Sequence, residues 1–138
     1  MVLDTFHEHD PERNKESILS SLKKCVDPSG GSLLEISSGT GQHISYFAEN
    51  FPNIEFQPTE IYRRLFETIN ACTKYNLSNV LPAKYLDISS DLSVWLSGQL
   101  MNKQYDYILN INMLHVSNYI CTGGLVFKSK IILINGFY

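Results

Sequence analysis

Apolar residues recur along this chain at two alternating spacings, and the alternation sets out its elements. Ile18, Leu19, Leu22 and Val26 form one stripe at helical spacing. Asp10-Pro11-Glu12 opens that helix with a side-chain acceptor, a proline at the first helical position and an acid in the first turn. Asp27-Pro28-Ser29-Gly30-Gly31 ends it. The run Leu33, Leu34, Ile36 predicts a first strand over Ser32–Ile36, followed by a helix from Gln42 to Asn50 that buries Ile44, Phe47, Ala48 and Phe51. A second strand, Ile54–Gln57, is closed by Pro58-Thr59-Glu60 and leads into a helix from Tyr62 to Tyr75 with Leu65, Ile69 and Cys72 inward. Val80–Leu86 reads as a third strand, and Pro82, which lacks an N–H, places it at an edge. Leu92–Leu100 reads as a short amphipathic helix. Tyr105–Ile111 reads as a central strand, apolar on both faces except at Asn110, and Ile131–Ile134 as a fifth strand. Trp95 and Phe66 are expected in the core.

Strands that alternate with helices imply right-handed crossovers and a mainly parallel, doubly wound sheet. No internal repeat or linker divides the chain, so its 138 residues are expected to form one domain behind a disordered leader of ten residues.

Composition narrows the partners. Hydrophobic residues make up 43% and charged residues 18%, as in an ordinary soluble globular protein. The net charge of −3 gives no basic footprint for nucleic acid, which favours a small-molecule or protein substrate. The uncharged run Tyr107–Phe127 is long enough to span a membrane, but Asn110, Asn112, His115, Asn118 and two glycines argue for a buried strand and a site loop instead. The amino terminus lacks the basic and apolar regions of a signal peptide. Cys25, Cys72 and Cys121 are unpaired in spacing and are expected to be reduced, buried thiols in a cytoplasmic or nuclear protein. His7 and His9 find no third ligand, so no metal is expected.

The candidate chemistry begins where the first strand breaks into Ser37-Ser38-Gly39-Thr40-Gly41. A strand, a tight glycine turn and a helix form the unit that open α/β sheets use to hold a nucleotide-like ligand at their carboxyl edge. Glu60 follows Gly41 by nineteen residues, at the end of the second strand, where a carboxylate can accept both hydroxyls of a ribose. The competing reading makes it a surface acid at a helix start. Asp87 ends the third strand in the same way, either receiving an adenine amino group or capping a helix. A dinucleotide fold wants a third glycine for its pyrophosphate, and Gln42, His43 and Ile44 stand there instead. A ligand without phosphate fits better. S-adenosylmethionine is such a ligand, and Glu35 would suit its cationic end.

These residues resemble a known family. Glu35-Ile36-Ser37-Ser38-Gly39-Thr40-Gly41 resembles the first motif of class I S-adenosylmethionine-dependent methyltransferases, with Ser37 where the first motif glycine usually stands. Glu12-Arg13-Asn14-Lys15, Ser-Gly-Thr-Gly-Gln-His, Gln57-Pro58-Thr59-Glu60 and Ile111-Asn112-Met113-Leu114-His115-Val116-Ser117 together resemble the methyltransferase-like protein 26 family over about residues 11 to 135. The resemblance implies a Rossmann-like sheet of five strands in the order 3-2-1-4-5, with helices on both faces. It implies that Glu35, Ser37, Gly39 and Gly41 line the methionine and ribose side of the cofactor, Glu60 the ribose and Asp87 the adenine. Asn112 and His115 would face the transferable methyl group, with His115 the leading general base. Arg13 and Asn14 either fold back over the cofactor or form an exposed helix start, and His43 is read as structural. Relatives continue beyond the position of Tyr138 into a final helix and strand pair, so a shortened form is expected, with the fifth strand as an apolar edge open to a protein partner. Two functions follow: a methyltransferase acting on a small molecule or a protein, or a non-catalytic protein of the same fold serving as a partner subunit.

Overall fold

The computed structural model describes residues 11–74, 77–101, 103–111 and 130–134. Helix α1 (Pro11–Cys25) leads to strand β1 (Gly31–Ile36), helix α2 (Gln42–Asn50) and strand β2 (Ile54–Glu60). A 3₁₀ turn (Arg63–Leu65) then runs into helix α3 (Phe66–Lys74). Strand β3 (Lys84–Tyr85), a 3₁₀ segment (Leu92–Met101), β4 (Tyr107–Ile111) and β5 (Lys130–Ile134) complete the order. The sheet runs β3-β2-β1-β4-β5, and every neighbouring pair is parallel. This is the Rossmann-like α/β arrangement expected for a class I methyltransferase fold.

The alternation within β1 shows why this order is stable. Leu33 points into one core with Ile18, Leu19 and Leu22 of α1, Ile44 and Phe47 of α2, and Phe56 and Leu109 of the neighbouring strands. Leu34 and Ile36 point into a second core with Leu86, Trp95, Leu96, Tyr105 and Ile108. A strand buried on both faces belongs at the centre of a parallel sheet. Asn79 closes the α2–β2 connection from below by donating to three carbonyls, those of Ala48, Phe51 and Ile54, at 3.0–3.1 Å.

Five local expectations are corrected. Strand β2 does not stop at Gln57 but continues through Pro58-Thr59-Glu60, with Glu35 opposite Pro58. The third strand is two residues long, not seven, with a separate bridge between Phe56 and Val80. Prolines explain the gap: Pro58 faces the β3 side without an N–H, and Pro82 stands across from it without one either. Side chains fill the break. Gln57 Nε2 donates to the carbonyls of Pro58 (3.0 Å) and Pro82 (2.8 Å), and Asn70 Oδ1 accepts from the Ala83 N–H (2.9 Å). Edge placement of β3, read from Pro82, holds.

The Leu92–Leu100 helix is replaced by a broken 3₁₀ segment. Trp95 is extended there, and Leu96, Ser97 and Gly98 are left-handed. Trp95 and Leu96 are both buried in the second core. In α3 the inward residues are Ile69 and Thr73, while Leu65, in the preceding 3₁₀ turn, and Phe66 and Cys72 are half-buried. Cys25 is exposed at the end of α1 and Cys72 half-buried, so neither is the buried thiol expected; both are free. Cys121, His7 and His9 lie outside the described residues.

Candidate functional site

Three neighbouring strands, β1, β2 and β3, present their carboxyl ends side by side. The turn after β1 is bolted to the end of β2 by a two-way latch. The Ser38 N–H donates to the Thr59 carbonyl (2.8 Å), and the Thr59 N–H donates to Ser38 Oγ (3.2 Å). Thr59 Oγ1 donates back to the Glu35 carbonyl at 2.6 Å. Ser38 and Thr59 are buried and fix the turn that carries the candidate site. Sequence reasoning assigned them no role. Their signal was available: polar residues interrupting the apolar ends of two strands.

The turn itself is left-handed at three positions. Ser37 has φ +60°, Gly39 +59° and Gly41 +85°. The two glycines serve different ends. A Cβ at Gly41 would lie 3.1 Å from the Ile69 Cα, so this glycine lets α2 pack against α3. A Cβ at Gly39 would meet nothing within 4 Å. The backbone there borders open space, as a ligand-facing turn requires. Ser37 adopts the same region with a side chain, where the family motif usually has glycine.

Glu60 sits at the tip of β2, 4% exposed. Its Oε2 accepts from the Gly39 N–H (2.9 Å), and its Oε1 accepts from the N–H groups of Ile61 (2.9 Å) and Tyr62 (3.3 Å). It is therefore not a surface acid; it clasps the glycine turn to the segment after β2. Glu35 is 3% exposed and lies on the same sheet face as Leu33. Its Oε2 has no hydrogen-bond partner among the described residues. Burial pushes its carboxyl up to about 7, and the nearby charge of Glu60 pushes the same way, against a hydrogen bond with the Ser38 side chain.

Asp87 lies two residues beyond β3, half-exposed. Its Oδ1 accepts from the Ser89 N–H (2.9 Å) and Oγ (2.6 Å), which holds its carboxyl below the usual range. Leu86, next to it, donates its N–H to the Glu60 carbonyl at 3.3 Å, so Asp87 stands beside the β2 tip. Asn14 joins the site from the other side: His43 Nε2 lies 2.9 Å from Asn14 Oδ1 and stacks its ring on Phe47 with centroids 5.8 Å apart. Burial holds the His43 pKa below its ordinary value. The bond ties the start of α1 to the first turn of α2, and His43 has the structural place expected of it. Arg13 is in α1, but its side chain, like Asn112 and His115, lies outside the described residues. Asn110, the polar residue of β4, is buried and donates to the Ile36 carbonyl at 3.4 Å, under the start of the turn.

Among the described residues no helix is long and apolar enough to cross a membrane, and no three His, Cys, Asp or Glu residues converge as metal ligands.

Solved structures share this architecture. Coclaurine N-methyltransferase, bound to N-methylheliamine and SAH, aligns with 21% identity and a TM-score of 0.55 over 72% of this chain and 27% of its own. The CurJ carbon methyltransferase aligns with 27% identity and a TM-score of 0.56 over 74% of this chain and 26% of its own. YjhP from E. coli aligns with 14% identity and a TM-score of 0.61 over 94% of this chain and 51% of its own. The chain spans about a quarter of the length of the first two and about half of the third. A family model described as protein of unknown function (DUF938) matches residues 6–136. That match takes in nearly the whole sequence, and the chain belongs to the DUF938 family.

Proposed function

We propose that this chain binds S-adenosylmethionine at the carboxyl ends of β1, β2 and β3 and is a methyltransferase whose acceptor is a small molecule or a protein. The observation that carries the proposal is the pairing of an open left-handed turn at Gly39 with two buried carboxylates, one of which keeps an unpartnered oxygen. A buried polar atom without a partner is costly and calls for one. The ligand's cationic amine supplies it at Glu35, its sulfonium adds only positive charge, and ribose hydroxyls are of the right kind for Glu60. Gly39 and Gly41 keep the backbone clear, Ser37 borders the same turn, and Asp87 stands where an adenine amino group would end. Arg13 and Asn14, at the start of α1, would cover the ligand. The finer resemblance, to the methyltransferase-like protein 26 family, rests on the four ordered motifs and agrees with this assignment.

Bound S-adenosylmethionine would supply a methyl carbon already activated by its sulfonium. The protein's part is alignment of the acceptor with that carbon, an effect worth up to roughly 7–11 kcal/mol in ideal cases. Asn112 and His115, which follow β4 along the chain, are the residues assigned to the acceptor side. His115 takes a proton from an acceptor that holds one near neutral pH.

Titration calorimetry with S-adenosylmethionine and S-adenosylhomocysteine on the wild type and on Glu60→Gln tests the reading. Micromolar binding to the wild type, lost in a variant that still melts cooperatively, supports the pocket. A folded wild type that gives no heat with either ligand overturns it and favours a non-catalytic protein of the same fold acting as a partner subunit.

A further inference from the structure

Glu35 and Glu60 occupy the same cleft at nearly equal burial, yet their surroundings differ in one respect that bears on ligand binding. Glu60 is supplied with three backbone N–H donors on its two oxygens. Glu35 has none for Oε2 among the described residues, and Glu60 is the charge that acts on it. Among the described residues, the groups named around it offer no counter-ion. Glu60 on β2 is like-charged, and His43 on α2 is held toward its neutral form by burial. Lys15 on α1 directs its ammonium over the Tyr46 ring at 4.9 Å, and Asn110 on β4 is neutral. A buried carboxyl beside a second carboxylate, with one of its oxygens left without a donor among the described residues, is favoured as the neutral acid.

We propose, on the basis of the function assigned above, that Glu35 carries a proton in the empty cleft and releases it to solvent when the cationic end of the ligand arrives, so that cofactor binding is coupled to the loss of one proton. The O–H bond of the Glu35 carboxylic acid breaks, the proton passes to buffer, and the carboxylate left behind pairs with the ligand's ammonium or sulfonium. No other group is oxidised, reduced or transferred. The neutral acid lets two carboxyl groups lie buried at neighbouring strand ends without ligand, and the ionised form provides the negative charge only when a positive charge is there to meet it. A ligand cation must then compete with the proton, which makes affinity a function of pH in the neutral range.

Two measurements on the intact chain test this. The first needs no ligand: in protein carrying ¹³C-labelled glutamate carboxyls, one resonance should titrate with a midpoint near neutrality and be absent from Glu35→Gln. If every glutamate resonance titrates in the ordinary carboxylate range, the proposal is overturned. The second is titration calorimetry with S-adenosylmethionine at about pH 6 and about pH 8, in pairs of buffers with different ionisation enthalpies. The wild type should bind about tenfold tighter at the higher pH, and its apparent enthalpy should vary with buffer in the sense of proton release. Glu35→Gln keeps any titration of the ligand itself, so both dependences must shrink in that variant if it remains folded by circular dichroism. Binding that is equally buffer-independent in both proteins overturns the coupling and leaves the cofactor assignment standing. A neutral-range glutamate in a protein that binds nothing overturns the cofactor assignment, and the release step with it.

Discussion

Glu60 ends β2 and Asp87 follows β3 by two residues, and along the chain the two acids look alike. In the fold they are held by different means. Glu60 is 4% exposed and receives hydrogen bonds from Gly39, twenty-one residues earlier, as well as from Ile61 and Tyr62. Asp87 is half-exposed, and among the described residues its side chain accepts hydrogen bonds from Ser89 alone. The difference comes from the strands beneath. Seven-residue β2 is flanked on both sides, and its tip is overlaid by the β1 turn; two-residue β3 is an edge strand among the described residues. A carboxylate at a strand end becomes a buried clasp for several N–H groups when a neighbouring loop folds over it, and otherwise it caps its own turn.

The largest effect should come from removing the buried one. Glu60→Ala strips three N–H groups of their acceptor and should lower stability by about 4 kcal/mol, read from urea melts, along with all binding of S-adenosylmethionine. A loss no larger than that of a surface substitution would mean that the clasp on Gly39 contributes nothing.

Glu35→Gln should act in the opposite direction. Its carboxyl moves from 4.5 to about 7 on folding, so between those values the folded chain holds more protons than the unfolded one. Stability then falls as pH rises through that window and levels off above it. Glutamine has no such cost. The variant should match wild type near pH 4 and exceed it by up to about 3 kcal/mol near pH 8, in melts followed across pH. Equal curves at both ends would remove the case for a neutral Glu35.

The two glycines sharpen the comparison within one turn. Gly41→Ala combines a left-handed φ with a Cβ 3.1 Å from Ile69, and should lower stability by about 2 kcal/mol. Gly39→Ala meets open space and should cost about 1 kcal/mol from φ alone. Its larger effect should be on ligand affinity, measured by calorimetry. If both variants lose stability equally, Gly39 does not border a cleft.

How legible this was in the sequence depended on the reach of the forces involved. The segment from the first strand through α2 was legible almost to the residue, because its apolar alternation, its glycine turn and its helical stripe are all local. The 3-2-1-4-5 order followed from handedness and the motif resemblance. What could not be read was decided by partners distant in sequence. The ladder breaks near Pro58 and Pro82, and side chains bond across the gap, Gln57 to the Pro82 carbonyl and Asn70 to the Ala83 N–H. The Asn14–His43 bond joins residues twenty-nine apart, and neither residue's local pattern announces it. Glu35 was legible as a candidate by its place before the turn. Its unpartnered oxygen was not, since that depends on which donors the folded neighbours spend on Glu60.

The smallest effect belongs to Asp87. Its carboxyl is held below the usual range first by the Ser89 hydroxyl and then by the Ser89 N–H, and the whole arrangement spans three residues on an open turn. Asp87→Asn keeps an oxygen for those donors and removes the charge, so the melting temperature should not move measurably. If the acid also receives an adenine amino group, the amide's oxygen can still accept from it, and affinity for S-adenosylmethionine should weaken only modestly, far less than in Glu60→Gln. Asp87→Ala removes the acceptor altogether and should weaken affinity further while S-adenosylhomocysteine binding falls in parallel, since both ligands carry the same adenine. An alanine variant with unchanged affinity for both would assign Asp87 to its own turn and leave the adenine to backbone groups of the segment after β3. The contrast between a strand tip built for a ligand and one that merely closes a loop would then coincide with the boundary between β2 and β3.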